Sequence, residues 1–398
     1  MSRPDSVAVL GVGMHPWGAE GKSFLEYASV AARAALADAG VGWRDVQLVV
    51  GGETIRNGYP GFVAGAALSQ ALGWQGAPVA SCYAACATGA QALSTARAHI
   101  LAGLADVVLV VGADTTGKGF FAPVGGDRPD DPDWLRFRLL GATNPAYFGL
   151  YARRRMALRG STEADFAAVK VKNARAGSLN PYARFRTAVD AETVLNSPMV
   201  SDPLRLLQIC ATSDGAAAVV LASEEFARRV NKDAVRIRAI STPTPRYPRT
   251  VPDFPYLASD SSARTAPGAR TFRESLAHTA FEAAGLGPED VDVAEVYDLS
   301  TAMELDWYEE IGLCGPGEAE KLLHDGVTAL GGRVPVNPSG GLSSFGEAIP
   351  AQAIAQVCEL TWQLRGDAGA RQVAGARVGV AVNQGLFGHG AAVVVGRA

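Results

Sequence analysis

The stretch Ser81-Cys82-Tyr83-Ala84-Ala85-Cys86-Ala87-Thr88-Gly89-Ala90-Gln91-Ala92-Leu93 decides the fold of this chain. A short β-like run at 77–80 precedes it, and an alanine-rich helical pattern follows from about 88 to 104. Both cysteines therefore lie where a strand turns into a helix, beside unpaired N–H groups and the positive end of a helix dipole. A thiol in such a place has a lowered pKa and is a candidate nucleophile. The alternative is that both cysteines are small buried residues.

Composition limits the classes of protein to which the chain can belong. Its 398 residues suggest two to three domains, and 48% hydrophobic against 19% charged residues allow a large core. The net charge of −4, without a basic run, argues against nucleic acid as a partner. Five cysteines, an odd number without metal-ligand spacing, predict a reducing, cytoplasmic location and no metal site. We expect neither a signal peptide nor a membrane span.

Strands and helices alternate along the first part of the chain. Apolar runs predict buried strands, at 6–13, 45–52, 105–112 and 213–221. A period near 3.6 residues predicts helices, at 24–39 and 62–72. The run at 105–112 is apolar almost throughout, as is typical of parallel strands that are buried on both faces. Residues 115–203 differ in texture, with helical patterns at 147–159 and 162–176, and predict an inserted subdomain that covers the site.

The second part of the chain repeats the first. Each part contains a helix, a stop of small residues, an Asp-Val pair and a strand; in the second part these extend from 272 to 296. Residues 337–350 and the helical pattern at 351–364 take the place of the cysteine turn and its helix. Two such halves predict a five-layer α/β/α/β/α fold with a pseudo-two-fold axis. The predicted halves are 1–114 with 204–230, and 231–398; the two central helices start at Cys86 and near Glu347, at a common site.

Several motifs resemble those of the thiolase superfamily, in its lipid-transfer-protein or sterol-carrier-protein-x branch. Cys86-Ala-Thr-Gly-Ala-Gln-Ala-Leu93 resembles the nucleophile segment, and Asn337-Pro-Ser-Gly-Gly-Leu342 resembles the Asn-Pro-Ser-Gly-Gly segment. Glu295-Val-Tyr-Asp298 resembles a Glu-Val-His-Asp element, and Gly346-Glu-Ala348 takes the place of Gly-His-Pro. The resemblance covers essentially the whole chain and implies a thiolase-like fold and an acyl-CoA substrate.

The departures from the family pattern concern the chemistry. Glu347 replaces the histidine that activates the thiolase cysteine, and Tyr297 replaces the other histidine of the branch. The usual C-terminal cysteine is absent, and its loop contains Asn383, Gln384 and His389 instead. A carboxylate beside a developing oxyanion opposes Claisen cleavage, whereas retro-aldol cleavage of a 3-hydroxyacyl thioester needs only a base and an oxyanion site. The resemblance implies a likeness to actinobacterial steroid side-chain aldolases.

The predicted catalytic residues are Tyr297, Glu347, His389 and Cys86. The predicted substrate-binding residues lie around them: Asp298, Asn383, Gly385, Ser344, Phe345 and Phe387. For each catalytic candidate a second interpretation stays open. Tyr297 can be a core residue, Glu347 a helix cap and His389 a structural residue of its turn. Cys86 can act as a nucleophile or can contribute only its backbone N–H to an oxyanion site.

Three functions compete on this evidence. The first is a retro-aldol lyase that acts on a bulky, steroid 3-hydroxyacyl-CoA and gives a ketone and a short acyl-CoA. The second is a 3-ketoacyl-CoA thiolase, an acetyl-CoA acyltransferase, that uses Cys86. The third is a non-enzymatic carrier of lipid or acyl-CoA. We expect no bound cofactor besides the coenzyme A of the substrate.

The resemblance also implies partners. Thiolase-like proteins form homodimers through the sheet edge of the first half, for which the strand at 105–112 is the predicted contact. The aldolases of the branch work with a small OB-fold and zinc-ribbon (DUF35) protein, which suggests an α2β2 assembly.

Overall fold

The computed structural model describes residues 6–54, 57–115, 144–230, 234–244, 270–385 and 388–397. Nine strands form one large sheet in the order β3-β2-β4-β7-β1-β8-β11-β10-β9, and a two-stranded hairpin, β5-β6, lies apart. The strands are β1 (Val7–Gly18), β2 (Leu48–Gly52), β3 (Val79–Cys82), β4 (Val107–Asp114), β5 (Met199–Ser201), β6 (Leu204–Arg205), β7 (Asp214–Ala222), β8 (Val235–Ser241), β9 (Val293–Val296), β10 (Val378–Gln384) and β11 (Gly390–Gly396).

Twelve α-helices are found in the described residues. They are α1 (Phe24–Ala39), α2 (Gly58–Phe62), α3 (Ala64–Leu72), α4 (Thr88–Leu101), α5 (Asn144–Arg159), α6 (Glu163–Ser178), α7 (Ala191–Leu195), α8 (Glu224–Val230), α9 (Phe272–Ala284), α10 (Thr301–Glu310), α11 (Ala319–His324) and α12 (Gln352–Arg365). Local sequence sets several of their ends. Ser23 and Glu26 form a capping box at the start of α1, and Gly40 ends that helix with φ 67°.

Strand pairing confirms the predicted repeat. In the first half β2 pairs parallel with β4, β4 antiparallel with β7, and β7 antiparallel with β1. In the second half β9, β10, β11 and β8 follow the same sequence of pairings. A parallel bridge between Ala294 and Val336 stands where β3 stands in the first half. The two halves join into one sheet because β1 and β8 pair antiparallel, with Val7 opposite Ile237.

The helices form the layers of the predicted five-layer fold. Helices α4 and α12 pack between the two halves of the sheet, where their side chains share one core cluster with both sets of strands. Leu93 of α4 and Val357 of α12 are fully buried there. Helices α1 and α3 cover the outer face of the first half, and α9 covers that of the second. The predicted fold class is therefore confirmed.

The inserted segment, described from residue 144 to 203, packs against the second half. Its strongest anchor is Arg155 of α5, which is buried and forms ion pairs with Asp306, Glu309 and Glu320. A buried guanidinium needs such partners, since an unpaired buried charge is very costly. Helix α6 contacts α10, and this brings it next to the segment that leads to Glu347.

The predicted dimer contact is wrong in one respect. Strand β4, which corresponds to 105–112, lies inside the sheet between β2 and β7, and all eight of its residues are buried. The edge of the first half is β3, whose residues are only partly covered. None of the helices in the described ranges is long and apolar enough to cross a membrane.

Candidate active site

Cys86 lies in a tight turn that Thr88 holds together. Ala85 has a φ of 47°, in the left-handed region that non-glycine residues seldom adopt. The Ala84 N–H donates to Thr88 Oγ1 at 2.9 Å, and the Thr88 hydroxyl donates to the Ala85 carbonyl at 2.6 Å. The turn places Cys86, which is partly exposed, two residues before helix α4. Burial raises the pKa of the neighbouring Cys82 thiol, which disfavours its thiolate form.

Gly385 brings the loop after β10 against the cysteine turn. A Cβ at this position would lie 2.7 Å from the Ala84 carbonyl oxygen and 2.9 Å from the Cys86 nitrogen. Only glycine allows so close an approach of the two backbones. The Gly385 N–H donates to the His389 carbonyl at 2.8 Å, which closes the loop. The predicted neighbourhood of Cys86 and Gly385 is thus present in the fold.

Tyr297 follows directly on strand β9 and is fully buried. Its hydroxyl donates to Glu347 Oε1, and its carbonyl accepts a hydrogen bond from Trp307 Nε1 at 2.9 Å. Burial raises the pKa of Tyr297 well above its ordinary value, and the neighbouring Cys86 and Glu347, both hydrogen-bonded to the phenol, raise it further. The phenol therefore stays protonated and connects the cysteine turn to the carboxylate.

Glu347 is held by the segment that leads into β7. Its N–H donates to the Ala211 carbonyl at 2.8 Å, and its carbonyl accepts from the Ser213 N–H at 2.8 Å. The side chain is buried and turns towards Tyr297. Helix α12 begins only at Gln352, after a 3-10 turn, and its N-cap is Ala351. Glu347 is therefore no helix cap, and the cap interpretation is wrong.

Cys210 completes the cluster and was missed from the sequence. Its N–H donates to the Leu299 carbonyl at 3.0 Å, and its side chain is hydrogen-bonded to Glu347. Burial raises the pKa of this thiol well above its ordinary value, and Glu347 adds to the effect. Cys86, Tyr297, Glu347 and Cys210 thus form a chain of contacts. Sequence gives no signal for Cys210, because only the tertiary fold brings its loop to the end of β9.

Asp298 points away from this cluster, towards the Asn337–Leu342 loop. One carboxylate oxygen accepts from the Leu342 N–H at 2.9 Å and the other from Asn173 Nδ2 at 3.2 Å. Burial raises the pKa of Asp298 well above its ordinary value, and the nearby Glu304 raises it further. The residue holds the loop in place, and its predicted contact with substrate stays a prediction.

Three other predicted binding residues also make supporting contacts. Ser344 Oγ accepts from Lys170 Nζ at 2.7 Å, and Asn383 Nδ2 donates to Gln356 of α12 at 2.6 Å. The ring of Phe345 packs on Trp17 of β1, with 4.4 Å between ring centroids. Ser344 and Phe345 thus belong to the stretch that leads to Glu347, whereas Asn383 is held against α12.

The structure brings together three of the four predicted catalytic residues: Cys86, Tyr297 and Glu347. His389 belongs to the neighbouring loop, but its side chain is exposed, whereas Tyr297 and Glu347 are buried. Phe387 lies outside the described residues. In the ranges that the structure describes, no three His, Cys, Asp or Glu side chains are grouped to hold a metal ion.

This arrangement can move a proton. The Tyr297 hydroxyl stands between a thiol and a carboxylate, so that its own proton can pass to Glu347 when its oxygen accepts another proton. Burial excludes water from the pair and strengthens its electrostatic interactions. A hydroxyl or thiol of a bound substrate placed beside Tyr297 would meet a base.

Comparisons with known proteins agree with the fold and the motifs. The thiolase N-terminal domain family matches residues 7–119, and the thiolase C-terminal domain-like family matches residues 258–397. The chain is 35% identical over 402 residues to sterol carrier protein 2 of Bos taurus, covering 98% of this chain and 71% of that protein. It is 36% identical over 310 residues to an acetyl-CoA acetyltransferase of Methanothermobacter thermautotrophicus, covering 78% and 77%.

Among solved structures, the fold is similar to that of the Ltp2-ChsH2(DUF35) aldolase. The TM-score is 0.82 at 24% identity, and the match covers 99% of this chain and 98% of that chain. At this identity the likeness concerns the fold alone.

Proposed function

The chain belongs to the thiolase superfamily, in its sterol-carrier-protein-x branch, and we propose that it cleaves a bulky 3-hydroxyacyl-CoA by a retro-aldol reaction. Members of this superfamily are enzymes of acyl-CoA chemistry, acyltransferases or lyases. The observation that carries the choice of reaction is the buried pair of Tyr297 and Glu347 beside Cys86. It supports a base at the position where thiolysis would need a hydrogen-bond donor.

The difference between the two reactions lies at the 3-oxygen of the substrate. In thiolysis this oxygen gains negative charge when the cysteine attacks, and a neighbouring carboxylate opposes that charge. In retro-aldol cleavage the 3-hydroxyl loses its proton, and a carboxylate that acts through Tyr297 assists the loss. Glu347 thus favours the second reaction and opposes the first.

The proposed reaction balances without an added reactant. Tyr297 takes the 3-hydroxyl proton while its own proton passes to Glu347, the C2–C3 bond breaks, and the 3-carbon leaves as a ketone. The electron pair of the broken bond forms the enolate of the shorter acyl-CoA. The enolate takes at C2 the proton that Glu347 returns through Tyr297, so that the carboxylate is restored and the protons balance. No cofactor is used besides the coenzyme A that the substrate carries, and a tertiary 3-hydroxyl, as on a steroid side chain, fits this route because it cannot be oxidised to a ketone.

The cysteine turn supports a place for the enolate oxygen. The Cys86 nitrogen lies at the close approach between the cysteine turn and Gly385, where no side chain stands between the two backbones. Backbone N–H groups directed at a developing oxyanion are the usual means of stabilising it. In this role the backbone of Cys86 serves the reaction, and its sulfur need not form a covalent intermediate.

A 3-ketoacyl-CoA thiolase remains the second candidate, and one observation favours it. The Cys86 side chain is hydrogen-bonded to Tyr297, which in turn donates to Glu347. The same relay can remove the thiol proton and produce the thiolate that Claisen cleavage requires.

Dependence on free coenzyme A separates the two reactions. The purified protein, alone and with a DUF35 partner protein, is incubated with a CoA thioester that bears a bulky tertiary 3-hydroxyl. We expect ketone and shorter acyl-CoA in equal amounts without added coenzyme A, and Cys86→Ala should retain most of this activity. Cleavage of the matching 3-ketoacyl-CoA only after addition of coenzyme A, together with an acyl group on Cys86 by mass spectrometry, would establish the thiolase instead.

The proposal extends to assembly and location. Large apolar side chains are exposed along the edge strand β3 and next to its ends: Val79 (40% exposed), Tyr83 (46% exposed) and Trp74 (62% exposed). Since monomers seldom expose such a group beside an unpaired strand edge, it supports a homodimer that pairs through β3. A DUF35 protein as second subunit, giving α2β2, and a cytoplasmic location belong to the same proposal. Light scattering of the protein alone and of the two proteins mixed tests both assemblies.

A further inference from the structure

Helix α6 of the inserted segment holds the stretch that leads to Glu347. Lys170 of this helix is 3% exposed, and its ammonium donates to the Ser343 carbonyl at 2.7 Å and to Ser344 Oγ at 2.7 Å. These two serines precede Glu347 by only four and three residues. The lysine therefore ties the inserted segment directly to the stretch that carries the proposed base.

Further contacts from the inserted segment fix the same stretch. The Phe185 N–H donates to the Ser344 carbonyl at 2.9 Å, and the Arg184 N–H donates to the Phe345 carbonyl at 3.0 Å. A Cβ at Gly177 of α6 would lie 2.9 Å from Ser344 Cβ, so the helix and the stretch touch closely. The inserted segment thus contacts the stretch before Glu347 through both backbone and side-chain groups.

Burying the Lys170 ammonium at this contact lowers the stability of the folded protein. Among the residues that the structure describes, the hydrogen-bond acceptors of its ammonium all belong to Ser343 and Ser344, and burial lowers the pKa of Lys170 to about 8. Asp298 is the acidic group that opposes this effect, from a greater distance. Packing alone would be served by an apolar residue, because a buried charge without an ion pair costs stability. The cost indicates a use for the charge.

We propose that Lys170 is a positioning residue, which fixes the Ser343–Glu347 stretch to helix α6 and thereby places Glu347 against Tyr297. The inference rests on the proposed function, in which Glu347 is the base. It makes the inserted segment part of the catalytic geometry, since a displacement of about 1 Å at a reacting group can cost a factor of about 100 in rate.

The lysine also gives the reaction a distinctive pH dependence. As an ammonium it supplies charge-assisted hydrogen bonds to both serines, and above pH 8 it becomes a neutral amine with weaker bonds. The titratable groups around Glu347 are Tyr297, Cys210 and Cys86. Tyr297 and Cys210, which are hydrogen-bonded to Glu347, remain protonated in this range because their pKa values are raised well above the ordinary ones. We therefore expect kcat to decline above about pH 8.

Lys170→Met tests the proposal, because methionine retains most of the side-chain length and removes the charge. Cleavage of the tertiary 3-hydroxyacyl-CoA is measured with the whole protein from pH 6 to pH 10. We expect kcat at pH 7 to fall about 10- to 100-fold with KM within threefold, and the decline above pH 8 to disappear. Lys170→Arg, which retains a charged donor, should restore part of kcat and move the decline to higher pH.

Arg175→Met is the matched control, since Arg175 lies exposed on the same helix and should leave kcat and the pH profile unchanged. Thermal unfolding of each variant shows whether it is folded, and Lys170→Gln serves if the methionine variant is not. A variant that keeps both the wild-type kcat and the decline above pH 8 overturns the inference. If both Lys170→Met and Glu347→Gln keep full activity, the proposed function fails. If Glu347→Gln is inactive and Lys170→Met keeps full activity, this inference alone fails.

Discussion

Replacing Tyr297 with phenylalanine tests the central relay with the smallest possible change. The substitution removes one oxygen from a fully buried side chain and leaves the ring, and so the packing, in place. It breaks the hydrogen bond to Glu347 and the one to Cys86. The reaction then has no group that can carry the 3-hydroxyl proton to the carboxylate.

The expected effects differ in size for activity and for stability. General base catalysis contributes about 10²- to 10⁴-fold, so kcat should fall by that factor, which corresponds to about 3–5 kcal/mol of activation free energy. The free energy of unfolding should fall by about 1–3 kcal/mol, because Glu347 loses a hydrogen-bond donor in a buried place. KM should change little, since the hydroxyl acts on the reacting oxygen and not on the bulk of the acyl chain.

The assay follows release of the shorter acyl-CoA by chromatography, and chemical denaturation gives the stability. Tyr308→Phe is the matched control, since Tyr308 is also fully buried and its hydroxyl donates to a buried carboxylate, Glu304, at 2.5 Å. It should lose similar stability and keep kcat within about threefold, as it does not touch the relay. The reasoning is refuted if Tyr297→Phe retains kcat within threefold, or if the control loses activity to the same extent.

Three further predictions concern the surroundings of the relay. Gly385→Ala should lower kcat at least about tenfold, because its Cβ would lie 2.9 Å from the Cys86 nitrogen; unchanged turnover of the acyl-CoA substrate would contradict the proposed oxyanion site. Phe345→Ala should lower the free energy of unfolding by about 3–5 kcal/mol with little change in KM, since its ring packs on Trp17; a raised KM at constant stability would restore it as a binding residue. The pKa of Lys170 is about 8 in the folded protein and higher in the unfolded chain, so its charge lowers the free energy of unfolding by about 3 kcal/mol at pH 7. The free energy of unfolding should therefore rise from about pH 8 to about pH 10.5 as the folded protein loses this charge. Chemical denaturation of Lys170→Met across that range should lack this rise.

The positions of the buried strands could be predicted from the sequence because buried strands are composed almost entirely of apolar residues. Strand β4 is apolar without interruption, and the fold covers it on both faces and on both edges. The continuous apolar composition of β4 also argues against its use as a dimer contact, since an edge strand such as β3 has partly exposed residues. The apolar run at 105–112 therefore predicted a buried strand correctly. The same burial makes its use as a dimer contact wrong, because the strand lies inside the sheet.

Residues of the site could be predicted from the sequence only where they occupy a position of a recognised motif. Cys86, Tyr297 and Glu347 each occupy a place that the resemblance assigns, and the fold brings the three together. Nearness in sequence was a poor guide to their neighbours. Phe345 precedes Glu347 by two residues, but its ring packs on Trp17 while the carboxylate turns to Tyr297.

Cys210 and Lys170 show what a sequence cannot supply. The sequence of its own segment does not single out either residue, and each reaches the site through contacts between distant parts of the chain. In most folds a cysteine among apolar residues and a lysine on a helix are a core residue and a surface residue. Their importance depends on Glu347, which both approach, Cys210 by its side chain and Lys170 through two serines.

The cysteine turn is therefore one side of a site whose chemistry is concentrated on the other. Cys86 contributes a backbone that packs closely against Gly385 and a thiol that is hydrogen-bonded to Tyr297. The proposed base, Glu347, lies across the pseudo-two-fold axis, in the second repeat, on a stretch that the inserted segment contacts. In the proposed function, a carboxylate in place of a histidine turns the position that donates to the 3-oxygen into one that withdraws its proton. The proposed oxyanion site of the first repeat would serve either reaction.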